Sequence, residues 1–209
     1  MDRSAAVTII QQGLGFRSDM TNQSIAALKE AQREFEVGST LPWFLIESDA
    51  TLLTVAATHA IAFPTGFLRL VEDEGPYYDS VDDGLKYLTI RPYDEALRYY
   101  ENTDAGPPRA LAVRATQFAV FPLPDAEYTI TYSYFKAAEV LDTDIENAWL
   151  ANVPDLLINR AGMLLAADLE YSAAYQKFAE KYKFWSNKYF SEIAARADQN
   201  MPRQMGVNN

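Results

Sequence analysis

Hydrophobic positions change period twice along the chain, and each change marks a change of structure. In TNQSIAALKEAQREFE, Ile25, Leu28 and Phe35 recur at helical spacing. That spacing predicts a helix with Thr21 or Asn22 as its cap and Gly38 just past its end. A shorter helix is predicted over residues 4–12, stopping in GLG. From about residue 41 the period shortens to two and prolines punctuate the pattern. LPWFLI and ATLLTVAAT predict short strands, LKYLTIRP alternates, and RALAVRA places Leu111 and Val113 on one face. YDEALRYYEN predicts one or two helical turns. EDEGPYYDSVDD holds Glu72, Asp73, Glu74, Asp79, Asp82 and Asp83 without a base and reads as an exposed loop.

The zone ends in QFAVFPLPDAEYTITYSYF, two alternating runs joined across Pro122 and Pro124. They predict an antiparallel hairpin, with Phe121 leading into a turn where proline removes ladder N–H groups. Tyr128, Ile130, Tyr132 and Tyr134 share the face expected to be buried, and Thr129, Thr131 and Ser133 share the other.

Helical spacing returns over residues 142–199. Thr143 and Glu146 have capping-box spacing, and Pro154 suits the first turn of the helix DLLINRAGMLLAADL. The last helix carries Tyr175, Phe178, Tyr182, Trp185, Tyr189 and Ile193 at steps of three or four. A fully buried ring covers roughly 150–250 Å², so this stripe is expected to be the main clamp of the fold. NMPRQMGVNN, with Pro202 and Gly206, is expected to hold no structure of its own. The pattern predicts an α+β fold: a bundle of N- and C-terminal helices, an inserted antiparallel sheet and a flexible C-terminal arm. It reads as one domain over residues 1–209, with zones 1–40, 41–137, 138–199 and 200–209.

Composition narrows the chemistry. A chain of 209 residues can bury a core without staples, and 49% apolar and 22% charged residues are ordinary for a globular protein. There is no cysteine, hence no disulfide framework or thiolate metal site. MDRSAAVTIIQQGLG lacks an export-signal core, and no apolar run is long enough for a membrane span, so a soluble intracellular product is expected. Net charge is −11. From Gln176 on, six bases (Lys177, Lys181, Lys183, Lys188, Arg196, Arg203) outnumber three acids (Glu180, Glu192, Asp198), leaving −14 on residues 1–175. An acidic body repels free nucleic acid, and its mildly basic end suits a different neighbour.

Catalytic constellations are sparse. His59 is the sole histidine and reads as structural. GLGFR lacks the third glycine of a dinucleotide fingerprint, and no Walker lysine motif occurs. DTDIEN resembles a calcium loop only briefly, because Asn147 and Val153 stand where glycine and glutamate are required. No catalytic, cofactor-binding or metal-ligating residue is therefore expected. Two other readings stay open: a carboxylate-dependent hydrolase using Asp79, Asp82 or Asp83, and a glycan-binding module.

The order of segments carries a resemblance. TLPWFL precedes FPTGFLRL, then GPPRALAVRATQFAVFPLPDAEYTITYSYF, then NAWLANVPDLLINRAGMLLAADL and an aromatic, lysine-bearing helix. This resembles the head-to-tail adaptor proteins of tailed bacteriophages, particularly podovirus-like ones, from about Leu41 to Ile193. The marks are Gly106, Pro107, Pro122, Pro124, Tyr128 and Tyr132, then Asn147, Trp149, Leu150, Pro154, Asp155, Leu156 and Leu157. The resemblance implies a structural virion protein of the neck, made in the host cytoplasm. About a dozen copies would form a ring between the portal protein and the tail nozzle or next tail protein, with DNA passing through unbound. It further implies a portal-docking arm of Asn200, Met201, Pro202, Arg203, Gln204, Met205, Gly206 and Val207. Phe121, Pro122, Pro124, Tyr128, Tyr132, Trp149 and Trp185 would form a rigid hairpin and core, and no membrane or cofactor is implied. Another neck stopper or completion protein is the alternative within the same class.

Overall fold

A computed structural model describes residues 1–71, 75–80 and 84–200, with side chains placed to residue 193. In chain order the helices and strands are α1 (Arg3–Gly13), α2 (Thr21–Val37), β1 (Ile46–Leu53), β2 (Ala60–Ala62), β3 (Phe67–Leu70), β4 (Tyr77–Ser80), β5 (Gly84–Tyr87), β6 (Thr89–Ile90), α3 (Tyr93–Tyr99), β7 (Ala110–Arg114), β8 (Gln117–Phe121), β9 (Thr129–Lys136), α4 (Ala148–Asn152), α5 (Pro154–Asp168) and α6 (Ser172–Asn200). The fold is α+β. It divides into a helical unit, built from Met1–Phe44 and the chain from Ala138 onward, and a sheet unit, Leu45–Ala137.

In the helical unit, α1 starts at Asp2, whose carboxylate accepts from the Ala5 N–H at 2.8 Å. A 3₁₀ turn over Ser18–Met20 runs directly into α2, so neither Thr21 nor Asn22 caps that helix. The Thr21 hydroxyl instead donates to the Ser18 carbonyl at 3.2 Å. Gly38 does close α2. No helix starts at Thr143, because the acids around it are engaged elsewhere. Asp144 accepts from the Ser4 N–H at 2.8 Å, and Asp142 pairs with Lys29. Asn147 is the working cap, accepting from the Leu150 N–H at 3.0 Å.

Pro154 opens α5 as its composition requires, and α5 is the central helix. Leu156, Leu157, Ile158, Ala161, Leu165 and Ala166 are all buried in it, an all-round apolar pattern suited to a helix covered on every side. Its Gly162 leaves room for the buried Phe178 ring of α6; a Cβ there would stand 2.6 Å from that ring. Gly13 borders the same ring, 2.2 Å from where its own Cβ would lie.

The last helix is less of a clamp than its stripe predicts. Phe178 and Tyr189 are buried, while Tyr182, Trp185 and Ile193 are half-buried and Tyr175 is 40% exposed. Burial does not follow distance along the helix: Tyr175, near the start of α6, is exposed, whereas Tyr189, farther on, packs against Trp149.

The sheet unit is a sandwich with a helix on one outer face. Its first sheet runs β1-β9-β4-β5, with β3 also paired to β9; its second runs β2-β8-β7-β6. Leu52, Leu70, Tyr78, Ile130, Tyr132 and Tyr134 of the first meet Leu111, Phe118 and Val120 of the second in one core. Phe118 stands edge-on to Tyr132 at 5.3 Å. On the far side of the second sheet, Ala96 of α3 packs over Ala110, Ala112, Ala119 and Phe121.

The predicted hairpin does not form. Its two runs become β8 and β9, which lie in different sheets. Pro122 and Pro124 lack the N–H groups that a continuing ladder needs, so the connection crosses from one sheet to the other. The true hairpin is β7–β8, Ala110↔Phe121 through Arg114↔Gln117, turned at Ala115 with φ +48°. The face assignment survives this change of partner: Ile130, Tyr132 and Tyr134 are buried. The acidic segment also differs from the predicted loop, since Tyr77–Ser80 form β4 and Tyr78 enters the core. Glu72, Asp73, Glu74, Asp82 and Asp83 lie outside the described residues, as do Met201, Pro202, Arg203, Gln204, Met205, Gly206 and Val207 of the predicted arm. Asn200 closes α6.

Candidate functional site

Of the residues suspected of chemistry, His59 and the calcium-like segment make structural contacts, while Asp82 and Asp83 lie outside the described residues. The His59 Nδ1 lies 2.7 Å from the Val120 carbonyl, which can only accept, so this nitrogen carries the proton. The ring also rests on Phe121, 4.7 Å between centroids. The calcium-like segment ties down α1: Arg3 donates to the carbonyls of Leu141 and Asp142, and its backbone N–H to Ile145. Among the described residues no three His, Asp or Glu side chains converge as a metal site would require. Asp79 is exposed on β4.

The aromatic positions of the resemblance fall at anchoring points. Trp149 is 1% exposed and is stacked on Phe35 at 5.1 Å, with Phe44 edge-on at 5.2 Å. Its indole N–H donates to Glu36 Oε1 at 3.0 Å. The same oxygen accepts from the Gln32 amide and the Ala138 N–H. Asn147 completes the knot, donating at 2.9 Å to both Gln32 Oε1 and the Glu139 carbonyl. Sequence reading missed Gln32 and Glu36. Their signal was two polar residues four apart on an α2 face that also carries buried Leu28.

In the sheet unit, Phe121, Pro122, Pro124 and Tyr132 are buried and Tyr128 is half-buried. Tyr128 donates to Asp125 at 2.7 Å; burial, then that carboxylate, pushes its phenol up to about 12. Burial and the neighbouring Tyr134 push Tyr132 up to about 12 as well. Trp185 is half-buried on α6, with Lys188 over its ring at 4.7 Å.

What remains is surface suited to partners. Lys177, Lys181, Phe184 and Lys188 follow at steps of four, three and four, on one exposed face of α6. Phe184 is 63% exposed. The first sheet bears a hollow of about 480 Å³ on its outer face, lined by Ser48, Asp49, Tyr77, Tyr87, Thr131 and Ser133. Among the described residues no helix is long and apolar enough to cross a membrane.

Comparison with curated proteins finds no match. The family described as SU10 adaptor protein matches residues 3–208, nearly the whole chain. The chain therefore belongs to the SU10 adaptor protein family, structural head-to-tail adaptors of the bacteriophage virion.

Proposed function

We propose that copies of this chain close into a ring beneath the portal, join it to the tail nozzle or next tail protein, and surround the channel through which DNA leaves. The observation that carries the reading is the adaptor-family match across residues 3–208. Charge supports it: at net −11 the chain does not grip phosphate, which suits a channel through which DNA must slide. The helical and sheet units act together as a single adaptor piece. The role is mechanical and turns over no substrate. Assembly takes place in the host cytoplasm, and the finished site is the virion neck.

In this reading the segment from Asn200 to Val207 is the portal-docking arm. The test is co-sedimentation of purified portal rings with the full chain and with a chain lacking residues 201–209. The full chain is expected to co-sediment in many copies. The shortened chain is expected to lose docking while its circular-dichroism spectrum stays unchanged. Undiminished docking would remove the arm assignment, and no docking by the full chain would remove the portal reading.

A further inference from the structure

The exposed stripe of α6 and the hollow of the first sheet carry opposite charges, and each presents exposed aromatic surface. On α6 the protruding Phe184 is flanked by Lys181 and Lys188, one turn to either side. Lys177, Lys181 and Lys188 make no ion pair among the described residues, and Lys188 lies over the Trp185 ring. Phe184 is thus an apolar knob between cations.

The sheet unit offers the reverse arrangement. In the β4–β5 pairing Tyr77 stands opposite Tyr87 and Asp79 opposite Leu85, so all four side chains share the outer face that holds the hollow. Tyr87 is 68% exposed and Leu85 54%. Asp49 lines the hollow, and Asp79 lies on the same face; both are exposed and neither forms an ion pair among the described residues. Residues 45–137 together carry 14 acids and seven bases, so the surrounding field also favours a cationic partner.

We infer that the Lys181–Phe184–Lys188 stripe of one copy docks onto the Tyr77–Tyr87 hollow of a second copy, Phe184 packing against the exposed side of this tyrosine pair, whose ring centroids stand 5.7 Å apart, and the lysines meeting Asp49 and Asp79. The two patches are different surfaces of one chain, so the contact is heterologous and repeats from copy to copy, the kind that closes rings. Tyrosine faces also attract lysine ammonium groups, which adds to the ion pairs. The inference rests on the ring reading and names the surfaces that build the ring.

Because the chain contains no cysteine, introduced thiols report this contact alone. Asn187→Cys places a thiol beside the knob and Leu85→Cys one on the outer face beside the hollow, leaving the knob, the tyrosines and the acids intact. The two full-length variants are mixed on portal rings, treated with a short bis-maleimide and resolved by denaturing electrophoresis. A covalent dimer is expected in the mixture and in neither variant alone. A second arm uses charge. Lys181→Glu with Lys188→Glu is expected to abolish multi-copy assembly, and so is Asp79→Lys with Asp49→Asn. An equal mixture of the two is expected to restore assembly, since every contact then joins a complementary pair. Absence of the cross-link while both cysteine variants assemble at the wild-type copy number overturns the inference, as does normal assembly by the charge variants. If the unaltered chain itself forms no multi-copy assembly with portal, the ring reading falls and this interface falls with it.

Discussion

Single atoms decide how the helical unit packs. Phe178 occupies space that exists only because Gly13 and Gly162 have no side chain. Gly162→Ala pushes a methyl group into the ring and is expected to destabilise the fold by about 1–3 kcal/mol. Thermal unfolding measures the loss, and Phe178→Leu in the same chain is expected to recover part of it. Tyr189 shows the opposite condition: its hydroxyl is buried without a hydrogen-bond partner among the described residues, and burial holds the phenol protonated beyond the ordinary tyrosine range. Tyr189→Phe keeps the ring against Trp149 and removes the unpaired oxygen. It is expected to raise stability by up to about 1 kcal/mol in denaturant titration. Asn147→Ala removes a helix cap and two further hydrogen bonds at a buried position, with an expected loss of about 2–3 kcal/mol in the same measurement.

At the scale of elements, period and partner are separate matters. Alternation in β9 made its buried face legible, because side-chain direction is a local property of extended backbone. Which strand β9 pairs with is set by the whole chain, and the prolines that suggested a hairpin turn carry the backbone across to a second sheet instead. Helix caps were misread for a similar reason. Thr143 and Glu146 have the right spacing, but the neighbouring acids bind α1 and α2, and only Asn147 is left to cap. The stripe on α6 announced an apolar face without announcing which of its rings find partners: Tyr189 packs against Trp149, whereas Tyr175 stays exposed. The anchors Trp149 and Tyr132 were legible because large rings at core spacing have few other uses. The hollow was not, since its lining comes from β1, the β4–β5 pair and β9, three stretches far apart in sequence.

The core tyrosines also give the sheet unit a pH limit. Tyr132 stays protonated to about 12 when folded, whereas an unfolded tyrosine ionises near 10. The folded form therefore holds its proton over a range where the unfolded form has lost it. Stability is fully present below about pH 10 and falls as pH rises toward 12. Unfolding titrations across that range are expected to show the decline, and Tyr132→Phe is expected to flatten it.

For the whole molecule, charge and assembly belong together. A chain of net −11 is expected to leave duplex DNA unshifted in electrophoresis at physiological salt, and a retarded band would contradict an unbinding channel. The mildly basic α6 is the exception, and its placement against an acidic sheet face of the next copy turns that asymmetry into a directional contact. Among the described residues the rings, prolines and glycines hold shape, and shape is what a structural adaptor contributes. Light scattering of the purified chain, alone and then with portal rings, tests this most directly. The expected result is a rise in mass equal to many copies bound per portal. A chain that leaves the portal's mass unchanged, or adds a single copy, would contradict it.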